Sequence, residues 1–208
     1  MKSRKITIWL VEMVLIVLCL GLHHAQATTV FDTFTPPYVW GGFSSPNSGV
    51  ATLIAVNSNT EITGISILNQ MLSQGELKFV IIDGGSHNFL YVSESKQFSA
   101  ETTTTWKQSN TFSFEMVGGK SYFVGYMRSV GVNEYVDKIQ ESYNGFTSGL
   151  SVACLSNYSN PAFSHVCFTG VDEAVRLSIP EPTTLLLFSL GGLALRLRSG
   201  RVLRKSRR

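Results

Sequence analysis

Charge is scarce in this chain. Only 15% of its 208 residues are Asp, Glu, Lys or Arg, while 44% are hydrophobic and 11% aromatic. That balance excludes a disordered chain, which would be polar and poor in aromatics. Cysteine occurs three times and never as Cys-x-x-Cys. Beyond residue 27 there are two histidines, His87 and His165, and no His-x-x-x-His spacing. Metal-ligand spacing is therefore missing, and neither a metal nor a cofactor is expected. No internal repeat is visible, which argues against a propeller or solenoid. No stretch carries a convincing 3.6-residue period.

The formal charge of +3 suggests a nucleic-acid partner, but its distribution removes the suggestion. Residues 183–208 hold seven bases and no acid, and residues 1–27 hold three bases and one acid. Residues 28–182 keep seven bases against thirteen acids. The basic character lies in the two ends, the middle is acidic, and no nucleic-acid partner is expected.

The N-terminus has the grammar of a secretory signal peptide, assigned to residues 1–27. Met1-Lys-Ser-Arg-Lys5 is cationic, Ile6 to Leu22 is apolar apart from Glu12, and His23-His-Ala-Gln-Ala27 follows. Ala25 and Ala27 are small enough for signal-peptidase pockets, which places the cut before Thr28. An uncleaved membrane helix is the alternative, since a run of 17 residues approaches the roughly 20 of a span.

At the C-terminus, Pro180-Glu-Pro182 precedes Thr183-Thr-Leu-Leu-Leu-Phe-Ser-Leu-Gly-Gly-Leu-Ala-Leu195. Arg196, Arg198, Arg201, Arg204, Lys205, Arg207 and Arg208 follow. The prolines forbid helix before Thr183. The apolar run reads as a short transmembrane helix over 183–197, with the Arg-rich flank held in the cytoplasm. The acidic middle then lies on the outer side of the inner membrane.

These three parts in this order, from Pro180 to Arg208, resemble the PEP-CTERM sorting signal of Gram-negative bacteria. The same segment also goes by the label ice-binding protein C-terminal domain. The resemblance implies processing by exosortase, a membrane-embedded cysteine transpeptidase. It also implies delivery to the cell surface or the extracellular polysaccharide matrix. Pro180, Glu181 and Pro182 are then the sorting motif. The tail is longer than usual for the signal, and a plain C-terminal anchor stays as the alternative.

Residues 28–179 suffice for one domain with its own core. Apolar and polar residues alternate over Val50–Val56, Glu61–Ile67, Glu76–Ile82, Asn88–Val92, Thr111–Val117, Ser121–Met127, Gly149–Leu155, His165–Phe168 and Glu173–Ile179. Period two with β-branched and aromatic enrichment is the strand signal. Asn57-Ser-Asn59, Gln74-Gly75, Asp83-Gly-Gly85 and Gly118-Gly119 read as turns. Roughly nine strands predict an all-β fold, an antiparallel β-sandwich of jelly-roll type. Tyr135 to Tyr143 could form one or two helical turns. The succession is similar to small sandwich ectodomains found upstream of this sorting signal, and that similarity implies no ligand.

Cys154 and Cys167 form an even pair in an oxidising compartment once Cys19 leaves with the signal peptide. A disulfide across the loop they enclose is expected, with two buried free thiols as the alternative. Gly145-Phe-Thr-Ser-Gly149 has its Ser in the fourth position, not the third of a nucleophile elbow, and reads as a loop. Glu134 with Asp137, or Asp172 with Glu173, could supply the two carboxyls of a glycosidase. Asp83-Gly-Gly-Ser86 is explained by a tight turn more simply than by calcium. Thr102 to Thr105 reads as an exposed strand edge; ice-binding surfaces repeat such rows over many coils. Tyr38, Trp40 and Trp106 are the candidates for stacking on a sugar face; core or sheet-edge packing is the competing role.

The expectation is a non-enzymatic structural protein of the cell surface or matrix, with no catalytic residues. Its partners would be an exosortase-type enzyme, the inner membrane transiently, and extracellular polysaccharide. A carbohydrate-binding module is the first alternative, and a glycan-active hydrolase the second.

Overall fold

The computed structural model describes residues 28–33, 39–143 and 145–179. The expected signal peptide over 1–27, the segment from Pro180 onward with its expected transmembrane helix, and Tyr38 lie outside the described residues. Among those residues the protein is all-β, with seventeen strands and no helix. In chain order these are β1 (Thr28–Asp32), β2 (Val39–Ser44), β3 (Ser48–Val56), β4 (Thr60–Ile62), β5 (Gly64–Met71) and β6 (Gly75–Asp83). Next come β7 (Phe89–Val92), β8 (Lys96–Phe98), β9 (Thr105–Gln108), β10 (Phe114–Met116), β11 (Ser121–Arg128) and β12 (Val132–Asp137). The last are β13 (Ser142–Tyr143), β14 (Phe146–Ser156), β15 (Ala162–Thr169), β16 (Asp172–Glu173) and β17 (Val175–Ile179).

Every pairing is antiparallel. One sheet runs β1-β17-β5-β12-β16, with β2 on β12 and β9 on β5. A second runs β13-β14-β3-β11-β6-β7, with β15 on β14 and β8 on β6. A small ribbon pairs β10 with β4.

Alternation decides which side chains meet. Ile65, Ile67 and Leu177 of the first sheet share a buried cluster with Ile54, Phe79 and Tyr126 of the second. On the other face of the second sheet, Val80, Ile82, Phe123 and Met127 pack with Tyr158 and Leu155. Burial on both faces explains the unbroken Phe79-Val-Ile-Ile82, because neither phase of the strand meets water. Gly125 lets β11 approach β3 closely; a Cβ there would meet the Val50 carbonyl oxygen at 2.0 Å.

The structure corrects four expectations. The nine runs become seventeen strands, because Glu61–Ile67 is broken between β4 and β5 and several short edge strands carry little periodicity. Tyr135 to Tyr143 is not helical: it contributes to β12 and β13. A charged residue, Glu134, points inward in β12 and masks the alternation. Gly145-Phe-Thr-Ser-Gly149 is not a loop but largely the start of β14. Its pairing with β3 shifts register between Ser148 and Val152, where Leu150 has φ 46°. That bulge breaks the alternation between residues 146–148 and the run from Gly149 onward, so the first part of the strand reads as a loop. Of Thr102 to Thr105 only Thr105 is in a strand; Thr102 and Thr103 form a bend.

Candidate functional site

The structure brings together one member of each carboxylate pair suggested by spacing, Glu134 and Glu173. Glu134 lies on β12, and Glu173 on β16 sits opposite Val136, two residues further along β12. Glu134 is 7% exposed and Glu173 1%. Arg128, 3% exposed, comes from β11 of the facing sheet and forms an ion pair with Glu134. Tyr126 Oη donates to Glu134 at 2.9 Å, and the Ser44 hydroxyl also donates to it. The Arg128 Nε–H reaches the Ser45 carbonyl at 3.0 Å and its Nη2 reaches Ser48 Oγ at 2.9 Å.

Glu173 is held well above its ordinary 4.5, first by burial and then by the negative Glu134, with Arg128 opposing. Its Oε1 has no hydrogen-bond partner among the described residues. Asp172 is also raised by burial, against the Ser148 and Thr52 hydroxyls. Thr52 Oγ1 donates to it at 2.7 Å. Chemically the cluster is a buried ion pair with an extra carboxyl. It ties β11 to β12 and is enclosed by side chains.

Trp106 lies on β9 opposite Leu68 and is half-buried. The Arg176 guanidinium stands 3.7 Å from its ring centroid and also pairs with Asp32 at 2.6 Å. One ring face is thus occupied by a cation. Trp40 lies on β2 opposite Tyr135.

A recess of about 330 Å³ opens beside the β4–β10 ribbon, lined by Asn59, Thr60, Glu61, Ser113 and Glu115. Glu61 and Glu115 are directly opposite in the ladder. Ser113 Oγ donates to Glu61 at 2.6 Å and Asn59 Nδ2 donates to Glu115 at 3.2 Å. The recess is polar and open to solvent, and nothing in strand spacing announces it.

Cys154 and Cys167 are joined by a disulfide, with Cα atoms 5.5 Å apart. It links β14 to β15 beside the Cys154–His165 register pair. At the Asp83 turn, Oδ1 accepts from the Gly85 amide, the Ser86 amide and the Ser86 hydroxyl. The Ser86 amide is the first cause of its lowered pKa. The carboxylate is therefore a turn cap, as the sequence suggests. His87 stacks on Phe163 at 4.0 Å. Among the described residues no three His, Cys, Asp or Glu side chains gather as metal ligands.

Thr28 begins β1 and Ile179 ends β17, just before Pro180. Pro180, Glu181, Pro182, Ala25 and Ala27 lie outside the described residues. No curated protein matches the chain. Residues 178–205 match the model of the PEP-CTERM protein-sorting motif. The match begins on the last two residues of β17 and spans the Pro-Glu-Pro triplet, the apolar run and most of the basic tail. The chain thus carries a PEP-CTERM protein-sorting motif, the mark of an exported protein processed by an exosortase-type enzyme.

Proposed function

We propose that this is a non-enzymatic structural protein of the cell surface or extracellular matrix of a Gram-negative bacterium. Residues 1–27 direct export, residues 183–197 hold the precursor briefly in the inner membrane, and an exosortase-type enzyme releases it near Pro180-Glu-Pro182. The observation that carries this reading is the sorting motif at residues 178–205. The Cys154–Cys167 disulfide agrees with an oxidising destination. A jelly-roll-like sandwich is supported by the core that the two larger sheets share. The non-enzymatic assignment is supported by the burial of Glu134 and Glu173, which leaves that pair no access to a glycosidic bond.

The test is the intact mass of the protein recovered from the envelope and the medium of its host. A species running from Thr28 to near Pro182 in the medium is expected. A species retaining its Arg-rich tail in the inner membrane would replace this reading with a plain anchor. Glu181→Ala should leave the tail uncut.

The second reading is a carbohydrate-binding module, favoured by the polar recess at Asn59, Glu61 and Glu115. Its carboxylates and hydroxyl suit sugar hydroxyls, while Arg176 covers one face of the Trp106 ring. Retention of the protein on matrix polysaccharide should drop in Glu61→Ala or Trp106→Ala if this reading holds, with the fold intact by circular dichroism. A glycan-active hydrolase is the third reading, and turnover of matrix polysaccharide would establish it.

A further inference from the structure

Asn69 is completely buried on β5, and neither Nδ2 nor Oδ1 of its amide has a hydrogen-bond partner among the described residues. Two orphaned atoms on one buried amide are costly and call for an explanation. The neighbours supply one. Asn69 pairs with Thr105 on β9, and Lys107 pairs with Ile67 two residues along. Asn69 and Lys107 are therefore diagonal neighbours on one face of the sheet, a spacing that long side chains bridge. Lys107 is 2% exposed, and its Nζ lies 3.4 Å from the Asn69 main-chain oxygen. The Glu101 carboxylate forms an ion pair with that Nζ, and the Thr105 hydroxyl also bonds it. On the other side of Asn69, Glu134 is its direct partner across the β5–β12 ladder.

A buried amine, an unpartnered carboxamide and a carboxylate in contact with the amine are the components of amide exchange. We propose that Lys107 and Asn69 become joined by an intramolecular isopeptide bond. Glu101 takes a proton from Nζ, which frees the lone pair. Nζ attacks Cγ of Asn69, the Nζ–Cγ bond forms and the Cγ–Nδ2 bond breaks. Glu101 passes that proton to Nδ2, and the second proton that Nζ sheds on becoming an amide follows it, so the leaving nitrogen departs as ammonium and Glu101 ends as it began; no oxidant or external reactant enters. The orphaned Nδ2 is removed, and the edge strand β9 becomes covalently fixed to β5. Such a staple suits a protein that works outside the cell, where edge strands are open to proteases.

The experiment is mass spectrometry of the reduced full chain, intact and after trypsin. Isopeptide formation lowers the intact mass by about 17 Da, the mass of the ammonia displaced by the lysine nucleophile. It also yields one branched peptide holding residues 69 and 107, with no cleavage after Lys107. Lys107→Arg and Glu101→Gln should keep the full mass. A wild-type chain of full mass, with separate peptides and cleavage after Lys107, would overturn the proposal. The same mass loss with separate peptides would mean cyclisation within Asn69 alone, and would overturn it too. The wild-type peptide map decides even if a variant fails to fold.

Discussion

Thr28 faces Ile179 across the β1–β17 ladder. The residue expected after signal-peptide removal and the last residue before Pro-Glu-Pro are therefore antiparallel partners at one end of one ladder. Each cut would fall beside this pair, and neither would remove a residue of the ladder. The chain enters and leaves the described domain on adjacent strands.

That ladder should be held by burial, not by charge. Phe31 on β1 is buried and its ring packs 5.5 Å from that of Phe146. Phe31→Ala should cost about 3–5 kcal/mol. Asp32, which pairs with Arg176, is partly exposed. Asp32→Ala should cost less than about 1 kcal/mol. Urea denaturation of both variants checks the order; equal losses would mean that the ion pair carries the strand.

The Arg128–Glu134 pair should behave as a buried unit. Removing one partner leaves the other charge without compensation, so Arg128→Met should destabilise by about 3–5 kcal/mol. Replacing Glu134 by Gln in the same chain should recover part of that loss. A double-mutant cycle measures the coupling; additive losses would mean that the two charges do not depend on each other.

Glu173 should give stability a falling limb toward higher pH. Its folded pKa lies above the ordinary 4.5 because of burial, and Glu134 adds to this. Between 4.5 and that raised value the native state keeps a proton that the unfolded chain releases. The contribution is fully present below 4.5 and is lost as pH rises through the folded value. The charged and titratable groups around it are Glu134 on β12, Arg128 and Tyr126 on β11, and its neighbour Asp172. Glu173→Gln should flatten the dependence of the urea midpoint on pH above 4.5. An unchanged slope would assign the dependence to another group.

The disulfide should contribute about 3 kcal/mol, the chain-entropy value for a loop of this size. Cys154→Ser with Cys167→Ser should lower the melting temperature, and reductant should then have no further effect. A wild-type chain indifferent to reductant would show that β14 and β15 hold together without the bond.

Sequence by itself determined the all-β class, the central strands and the sorting motif. These rest on local chemistry: alternation in β3, β6 and β11, turn residues at Asp83 and Gly118, and a contiguous run of proline, leucine and arginine. The cysteine pair was also legible, because two thiols in an exported chain leave few options. Tertiary structure decided the rest. Glu134 and Glu173 are 39 positions apart in the sequence, and only sheet pairing makes them neighbours. Arg128 is an ordinary strand residue until the facing sheet closes over it. Asn69 and Lys107 announce nothing by spacing, since their relation is a diagonal across two strands separated by a long excursion. Local pattern fixes which face a side chain takes; it does not fix which strand lies beside it, and buried polar chemistry depends on the neighbour.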